Sequence, residues 1–339
     1  MSTGDSAGLP TRHVVSPPSC RSWFDAFCSA PWDHVHYVGE RDTDESAVLD
    51  LLSGVGPARI AIHAGHRSLA RDHRLATELR RRGYPVIGPG AHAVELGLNK
   101  VAMKQWFAGA GIATPSGPTG RSGSWVVKRR FGTEGAGMSL VSGRAPVVDD
   151  QHYVEAYVEG EECSVVVFRG DGRTVVLPPV WKGRSNSALV PPYRRMRVCP
   201  GEPEQRVLEE EMIAISTAIS AGVPCEGWLE VEFVVDPDGV PLVLEINPRV
   251  SGTMRLAAMA AQVRIFDIAS DPAFSGRLAA RAYGVEVPWE GPAFVRPADG
   301  VFATSRLTVS GATKADAFEA LHRLLDRSRT PRVPEQLSS

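Results

Sequence analysis

Three glutamates and an asparagine within residues 227–252, GWLEVEFVVDPDGVPLVLEINPRVSG, have the types and spacing to hold a divalent cation. Apolar and polar residues alternate over 228–235 and again over 240–247, with Asp236-Pro237-Asp238-Gly239 between, which predicts a β-hairpin. If the turn closes as a four-residue loop, Val235 opposes Val240. Leu229, Val231, Phe233 and Val235 then share an apolar face with Val240, Leu242, Leu244 and Ile246. Glu230, Glu232 and Glu245, with Asn247 one pleat further, fall on the other face. Like charges set opposite one another destabilise a sheet, so this gathering predicts a cation among them. Hard oxygen donors favour Mg²⁺ or Mn²⁺. Asn247-Pro248-Arg249 adds an amide and a guanidinium at the strand end.

The complementary chemistry lies well upstream. No Asp or Glu occurs from Leu96 to Thr133, whereas Lys100, Lys104, Arg121, Lys128, Arg129 and Arg130 do. In a chain of formal net charge −2 that is an anion-binding composition. Residues 131–138, FGTEGAGM, place Gly132, Gly135 and Gly137 between a strand over 125–128 and another over 139–141. Such a loop lets bare amides approach phosphate closely. It is not a P-loop, because no Gly-Lys-Ser/Thr follows. Lysines and amides on one side and carboxylates on the other would hold a magnesium-bound triphosphate.

The elements that must position these groups read as follows. Residues 13–98 alternate short β-rich runs (13–15, 34–38, 59–63, 85–87) with helical stretches, the clearest over 69–82 and closed by Gly83, which predicts a small lobe with a largely parallel sheet. GPGAHA at 88–93 fits a dinucleotide fingerprint only formally: a proline fills its second position and no acidic residue follows at the required distance, so it reads as a turn into the next helix. Asn99 is placed to cap a helix from Lys100 to about Ala108 that Gly109 and Gly111 stop. Strands are expected over 152–157, 162–168 and 174–177. Residues 178–200 have little periodicity, five prolines and five basic residues, and read as a long loop over the site. Helices follow over 204–221, with Val207, Met212, Ile215 and Ile219 as its stripe, over 253–262, and over 312–326 with Thr313 as cap. Short strands fill 283–310, one of them over 302–309. Residues 1–12 and 327–339 read as tails.

Composition bounds the partners. The chain has 339 residues, 43% hydrophobic and 22% charged, as in ordinary globular proteins. Near-neutral charge gives no basis for a nucleic-acid or membrane partner. No apolar run reaches membrane-helix length and the N-terminus lacks a signal-peptide centre, so the cytoplasm is the expected compartment. Five cysteines without CxxC spacing indicate neither a zinc site nor a disulfide framework.

With these elements in place, the chain resembles the ATP-grasp superfamily of carboxylate–amine ligases over about residues 58–326. AIHAGH…GYPVIGPGAHAVELGLNKVAMKQWFAGAGIATP is similar to the pre-grasp lobe and following helix of biotin carboxylase and glycinamide ribonucleotide synthetase. VVKRRFGTEGAGM resembles the lysine strand and glycine flap, YVEAYVEGEECSV the hinge, and LEVEF…VLEINPR the magnesium hairpin. The implied fold is α/β: a pre-grasp lobe with a parallel sheet (1–98), a small lysine and glycine-flap subdomain (99–160), an antiparallel C-terminal lobe (161–326) and a disordered tail (327–339). The resemblance implies ATP and Mg²⁺ (or Mn²⁺) as cofactors. Lys100 and Lys128 would hold the α- and β-phosphates, and Gly132, Glu134, Gly135, Gly137 and Met138 would cover the β/γ end. Glu155 with Ala156, Tyr157 and Val158 would meet adenine, Glu162 ribose. Glu232, Glu245 and Asn247 would coordinate metal, and Arg249 with Lys128 would act on the transferring phosphoryl group.

Some positions depart from the family pattern. Asn99 stands where an acidic residue is usual, and Glu134 where glycine is more common. The glycine-rich phosphate loop of glycinamide ribonucleotide synthetase and a carbamoyl-phosphate tandem are both lacking. The implied reaction is amide formation between small-molecule carboxylate and amine substrates, of amino-acid or small-peptide type, through an acyl phosphate, with release of ADP and phosphate. Lys182, Arg184, Arg194, Arg195 and Arg197, with Ser251 and Gly252, are the expected substrate contacts. A homodimer through the N-terminal lobe is compatible with the resemblance. Two alternatives remain: the same fold with another nucleophile, as in carboxylases or acid–thiol ligases, and a non-catalytic ATP-binding subunit.

Overall fold

A computed structural model of the chain describes residues 11–16, 34–37, 49–50, 58–62, 69–117, 123–131, 137–185, 190, 194–223, 225–292, 294–296, 300–303 and 305–329. The first elements are β1 (Thr11–Ser16), β2 (His34–Tyr37), β3 (Ala58–Ile62), α1 (Leu69–Arg81), β4 (Val86–Pro89), α2 (Ala91–Leu98) and α3 (Lys100–Gly109). β1 runs parallel to β2 and β3, and β3 to β4, as alternating strands and helices require. Thr11 and Arg12, expected in a tail, belong to β1. Gly83 (φ 85°) closes α1 in the left-handed conformation that a side chain would resist. GPGAHA does turn from β4 into α2. Asn99 caps α3, its side-chain oxygen accepting the N–H groups of Val101 and Ala102.

A separate antiparallel sheet follows, β5 (Ser124–Arg129), β6 (Ser139–Ser142) and β7 (His152–Ala156), ordered β6-β5-β7. The rest builds one large sheet: β8 (Glu161–Gly170), β9 (Arg173–Val176), β10 (Val180–Arg184), β11 (Arg197–Cys199), α4 (Arg206–Gly222), β12 (Cys225–Val235), β13 (Pro241–Asn247), α5 (Met254–Ala261), α6 (Ile265–Ser270), β14 (Gly276–Arg277), β15 (Tyr283–Pro288), β16 (Phe294–Arg296), β17 (Val301–Ala303), β18 (Arg306–Gly311) and α7 (Lys314–Arg329). Its central order is β18-β15-β11-β10-β8-β12, with β13 also on β12. The start of β12 pairs with the end of β4 and so joins this sheet to the parallel one.

Alternation along β8 and β12 divides the core. Cys163, Val165 and Val167 with Leu229, Val231 and Phe233 face α3 and α4, packing on Met103, Phe107 and Met212. Val166, Phe168 and Trp228 face the opposite way, onto the buried helices α5 and α6. The carboxylates of β12 share that second side of the strand.

Four sequence expectations need correction. First, the loop between β12 and β13 has five residues, so Val235 opposes Pro241. The Asp236 carboxylate accepts the N–H groups of Asp238 and Val240 and stabilises this longer turn. An irregularity then occurs between the Phe233↔Val243 and Glu232↔Glu245 pairs, with Leu244 as the extra residue. The buried partners are therefore Pro241, Val243 and Ile246, while Val240 is exposed. Second, residues 178–200 contain β10 and β11 and are no structureless loop; residues 186–189 and 191–193 lie outside the described set. Third, α4 buries Glu209, Met212, Ile213 and Ile219 and exposes Val207. The buried Glu209 accepts from Trp181 Nε1 at 2.9 Å and from the Gly201 N–H at 3.1 Å. Fourth, 302–309 is two strands, β17 and β18. At the other end, α7 runs past 326 to Arg329. No helix among the described residues is long and apolar enough to cross a membrane.

Gly160 sits where β7 hands over to β8, and a Cβ there would lie 1.9 Å from the Val235 carbonyl oxygen. That contact is with backbone and cannot be relieved by a rotamer change. Gly160→Ala is expected to destabilise the protein by about 2–3 kcal/mol, the upper part of the overpacking range. An unchanged urea midpoint in the variant would show that β12 yields freely at this point.

Candidate active site

Two lysines on successive turns of α3 point toward the sheets. Lys100 Nζ lies 2.6 Å from Glu245 Oε2 on β13. Lys104 Nζ lies 2.9 Å from Glu155 Oε2 on β7. Lys128 on β5 also pairs with the Glu155 carboxylate, on its other oxygen. Antiparallel pairing sets Val126 opposite Glu155, which leaves Lys128 one diagonal step away on the same face. Burial alone would raise the Glu155 pKa, but Lys104 and Lys128 hold it down at about 2. Burial pushes the Lys104 ammonium down despite Glu155; at Lys128 burial also opposes the charge, but Glu155, Tyr153 and Glu245 together raise it well above its ordinary value. Lys128 also feels the field of Glu245. The lysine strand and the carboxylate hairpin, remote in sequence, therefore converge.

On the hairpin, Glu232 stands opposite Glu245 and Glu230 opposite Asn247. Asn247 Nδ2 donates to Glu232 Oε1 at 2.9 Å and to Glu245 Oε1 at 3.4 Å, and its oxygen accepts from Arg249 Nη2 at 3.2 Å. Lys182 on β10, 2% exposed, reaches Glu232 at 2.7 Å and Glu230 at 3.7 Å. Thr253, at the N-terminus of α5, donates to Glu230. The three carboxylates are unequal. Burial together with Glu230 and Glu245 pushes Glu232 up to about 7 against the pull of Lys182. Burial also opposes ionisation of Glu245, yet Lys100 and Lys128 hold it far below the ordinary carboxylate range. Glu230 is lowered as well, with Lys182 and Thr253 overcoming burial.

A buried carboxylate this reluctant to ionise beside two others is a place where an added cation is favoured. Among the described residues no three His, Cys, Asp or Glu side chains form a ready metal cage. The donor set Glu232, Glu245 and Asn247 nonetheless fits Mg²⁺: it offers oxygens only, from adjacent strands, and the cations now closing it are lysine ammonium groups. Magnesium carried in on phosphates needs few protein ligands, since it keeps water and phosphate oxygens around it.

The remaining predicted residues are placed as follows. Gly132, Glu134 and Gly135 lie outside the described residues. Gly137 (φ 77°) and Met138 lead into β6. Ala156 and Tyr157 donate backbone N–H groups to Ser116 and Ser124, and the Val158 carbonyl accepts from Ser185 Oγ at 3.1 Å. Glu162 is paired with Arg195 at 2.6 Å. Ser251 contacts Thr253 at 3.0 Å. A Cβ on Gly252 would stand 3.6 Å from Arg197 Nη1.

The basic residues expected on one loop do not form one clamp. Lys182 is inside, on Glu232; Arg195 is on Glu162; Arg197 is on Glu286 at 3.1 Å; Arg184 is exposed and 3.7 Å from Glu159; Arg194 is exposed. Sequence reading missed Lys104 as a partner of the hinge strand, although its position four residues after Lys100 puts both on one helix face. It also missed Arg255, a lone charge inside the buried helix MRLAAMAA, and Glu286 on β15.

A family model described as "ATP-grasp in the biosynthetic pathway with Ter operon" matches residues 150–279, from the hinge through the carboxylate hairpin. The chain is 21% identical over 290 residues to the carbamoyl phosphate synthase large chain of Clostridium botulinum, covering 78% of this chain and 26% of that one. It is 26% identical over 248 residues to D-alanine–D-alanine ligase B of Pseudomonas putida, covering 60% of this chain and 76% of that one. The chain thus spans about a quarter of the first relative's length and about three quarters of the second's. Among solved structures, the biotin carboxylase domain dimer of Hydrogenobacter thermophilus 2-oxoglutarate carboxylase, in complex with MgADP, ADP and bicarbonate, superposes with a TM-score of 0.66 at 16% identity, covering 94% of this chain and 90% of that one. The family match spans the hinge and hairpin, and the chain shares the ATP-grasp fold over nearly its whole length.

Proposed function

We propose that the protein is an enzyme, an ATP-dependent carboxylate–amine ligase that joins amino-acid or small-peptide substrates. The observation that carries this reading is the convergence of Lys100 and Lys128 on the hairpin carboxylates, with Glu245 in contact with one lysine and in the field of the other. Lys100, Lys128 and the flap that ends in Gly137 and Met138 would hold the phosphates, the hinge from Glu155 to Val158 the base, and Glu162 the ribose. Glu232, Glu245 and Asn247 would hold Mg²⁺, which supplies charge neutralisation for the departing ADP. In this arrangement Lys182 restrains Glu232, and Glu155 restrains Lys128, so neither group must be reordered when the nucleotide arrives.

The chemistry needs activation because a carboxylate has no usable leaving group. Its oxygen attacks the γ-phosphorus, the bond to the ADP oxygen breaks, and an acyl phosphate results. The amine nitrogen then attacks the acyl carbon, phosphate leaves, and nitrogen gives up its proton. Arg249, 8% exposed and bonded to Asn247, would offset the negative charge of both steps. A cytoplasmic location and a homodimer through the N-terminal lobe go with this reading, the biotin carboxylase relative having been solved as a dimer.

The test is product analysis with Mg·ATP and pairs of amino acids. The expected result is ADP, phosphate and an amide in equal amounts. ATP consumption that never yields an amide would reject the ligase and favour an enzyme with another nucleophile.

A further inference from the structure

Glu286 on β15 is fully enclosed and surrounded by guanidinium groups. Arg197 from β11 donates to Oε1 at 3.1 Å, Arg306 from β18 donates to the same oxygen, Arg255 from α5 donates to Oε2 at 2.8 Å, and Thr308 donates to Oε2 at 2.7 Å. All three arginines are more than nine-tenths buried. Four donors fill the carboxylate, yet Arg197 spends only one nitrogen on it. Arg197 Nε is buried without an acceptor, and so is Nε of Arg195, two residues earlier. Buried N–H groups without partners are costly, and a charged donor more so, which marks a place where an acceptor is to arrive.

The position of Arg197 says what the acceptor belongs to. Its Nη1 lies beside Gly252, just past the Asn247–Arg249 strand end, and its charge is felt by Lys182, the partner of Glu232. In the proposed function Lys100 and Lys128 hold the phosphates, Lys100 meeting the hairpin at Glu245 and Lys182 meeting it at Glu232. A planar guanidinium with spare N–H groups matches a carboxylate edge to edge.

We propose that Arg197, fixed in place by Glu286, forms a carboxylate subsite beside the metal hairpin, for a substrate carboxylate other than the one that is phosphorylated. This rests on the ligase reading for its role, though not for its existence. Glu286 is a positioning residue here, and Arg306, which also donates to the Arg195 carbonyl, ties the two strands that carry the site.

The probe is sodium malonate, added to the full chain and followed by thermal unfolding against sodium chloride of equal ionic strength. Malonate is expected to raise the midpoint of the wild type and to lose at least about tenfold in apparent affinity in Arg197→Gln, as for loss of a charge-assisted pair. The rise given by Mg·ADP is expected to be the same in both. No malonate effect on the wild type, or an equal effect on the variant, overturns the subsite. Arg197→Lys is the second variant, since it keeps a cation on Glu286 without the planar fork, and it is also expected to lose the malonate effect. Absence of the Mg·ADP rise in the wild type would reject the ATP-dependent reading while leaving the malonate result to judge the subsite. In turnover, a KM increase for the amine partner that is absent for its carboxamide supports the subsite; a KM increase confined to the acid whose carboxylate is phosphorylated overturns it. An equal loss with the free-acid and carboxamide forms of the amine partner also overturns the proposal.

Discussion

Glu245→Gln is expected to lower ATP-dependent turnover by about a hundredfold to a thousandfold, the usual loss when one preorganised electrostatic group is removed from a reaction centre. The substitution keeps shape and hydrogen-bonding capacity, so Lys100 retains an acceptor at the position it now approaches at 2.6 Å. What disappears is a full negative charge that two lysines hold ionised and that, with Glu232 and Asn247, makes the oxygen-donor set. The useful control is Glu78→Gln: Glu78 pairs with Arg81 and Arg82 on the surface of α1, far in the chain from the hairpin, and its loss is expected to be silent in turnover. Equal turnover in wild type and Glu245→Gln would move the protein to the class of non-catalytic nucleotide-binding subunits.

Glu286→Gln is expected to have the largest effect on stability, about 3–5 kcal/mol at neutral pH, the cost of leaving a buried charge without its partner. Three guanidinium groups converge on this one carboxylate from three elements, so its removal leaves them close together in a poorly solvated place. The pH dependence follows from the same contacts. Burial alone would raise the Glu286 pKa, yet Arg255, Arg197 and Arg306 hold it at about 2, below the ordinary value of 4.5. A group with a depressed pKa in the folded state stabilises fully above the unfolded value and loses that contribution as pH falls through the folded one. The stability gap between wild type and variant, read by urea titration, is therefore expected to be full above about pH 5 and to narrow between pH 4.5 and 2. A variant within 1 kcal/mol of wild type at pH 7 would mean that the cluster is solvated and adds little.

Much of the fold was legible because local rules were obeyed. Asn99 caps α3, Gly83 ends α1, and the alternating apolar residues of 228–235 do lie in β12. Residues 178–200 read as a loop because the strands β10 and β11 are short and carry Lys182 and Arg197 on buried positions. Inward-facing charge breaks the apolar alternation by which strands are recognised, and here it is tolerated only because Glu230, Glu232 and Glu286 neutralise it. On α4, Val207 belongs to the expected apolar stripe but is exposed, while the buried carboxylate of Glu209, satisfied by Trp181 and Gly201, takes an inward position.

The sequence by itself determined which chemical groups this protein owns and on which kind of element each rides: lysines on a helix and a strand, glycines between strands, and carboxylates on one face of a hairpin. Local propensity and side-chain periodicity suffice for that, since both act over a few residues. Only the tertiary structure decided which groups meet. The five-residue turn and the extra residue at Leu244 set Glu245 opposite Glu232 in place of Glu230. The fold likewise brought Lys100 to Glu245, Lys182 to Glu232 and three arginines to Glu286. Those pairings follow from strand register and from the need to neutralise each charge that folding removes from water, and neither is encoded within reach of a local window.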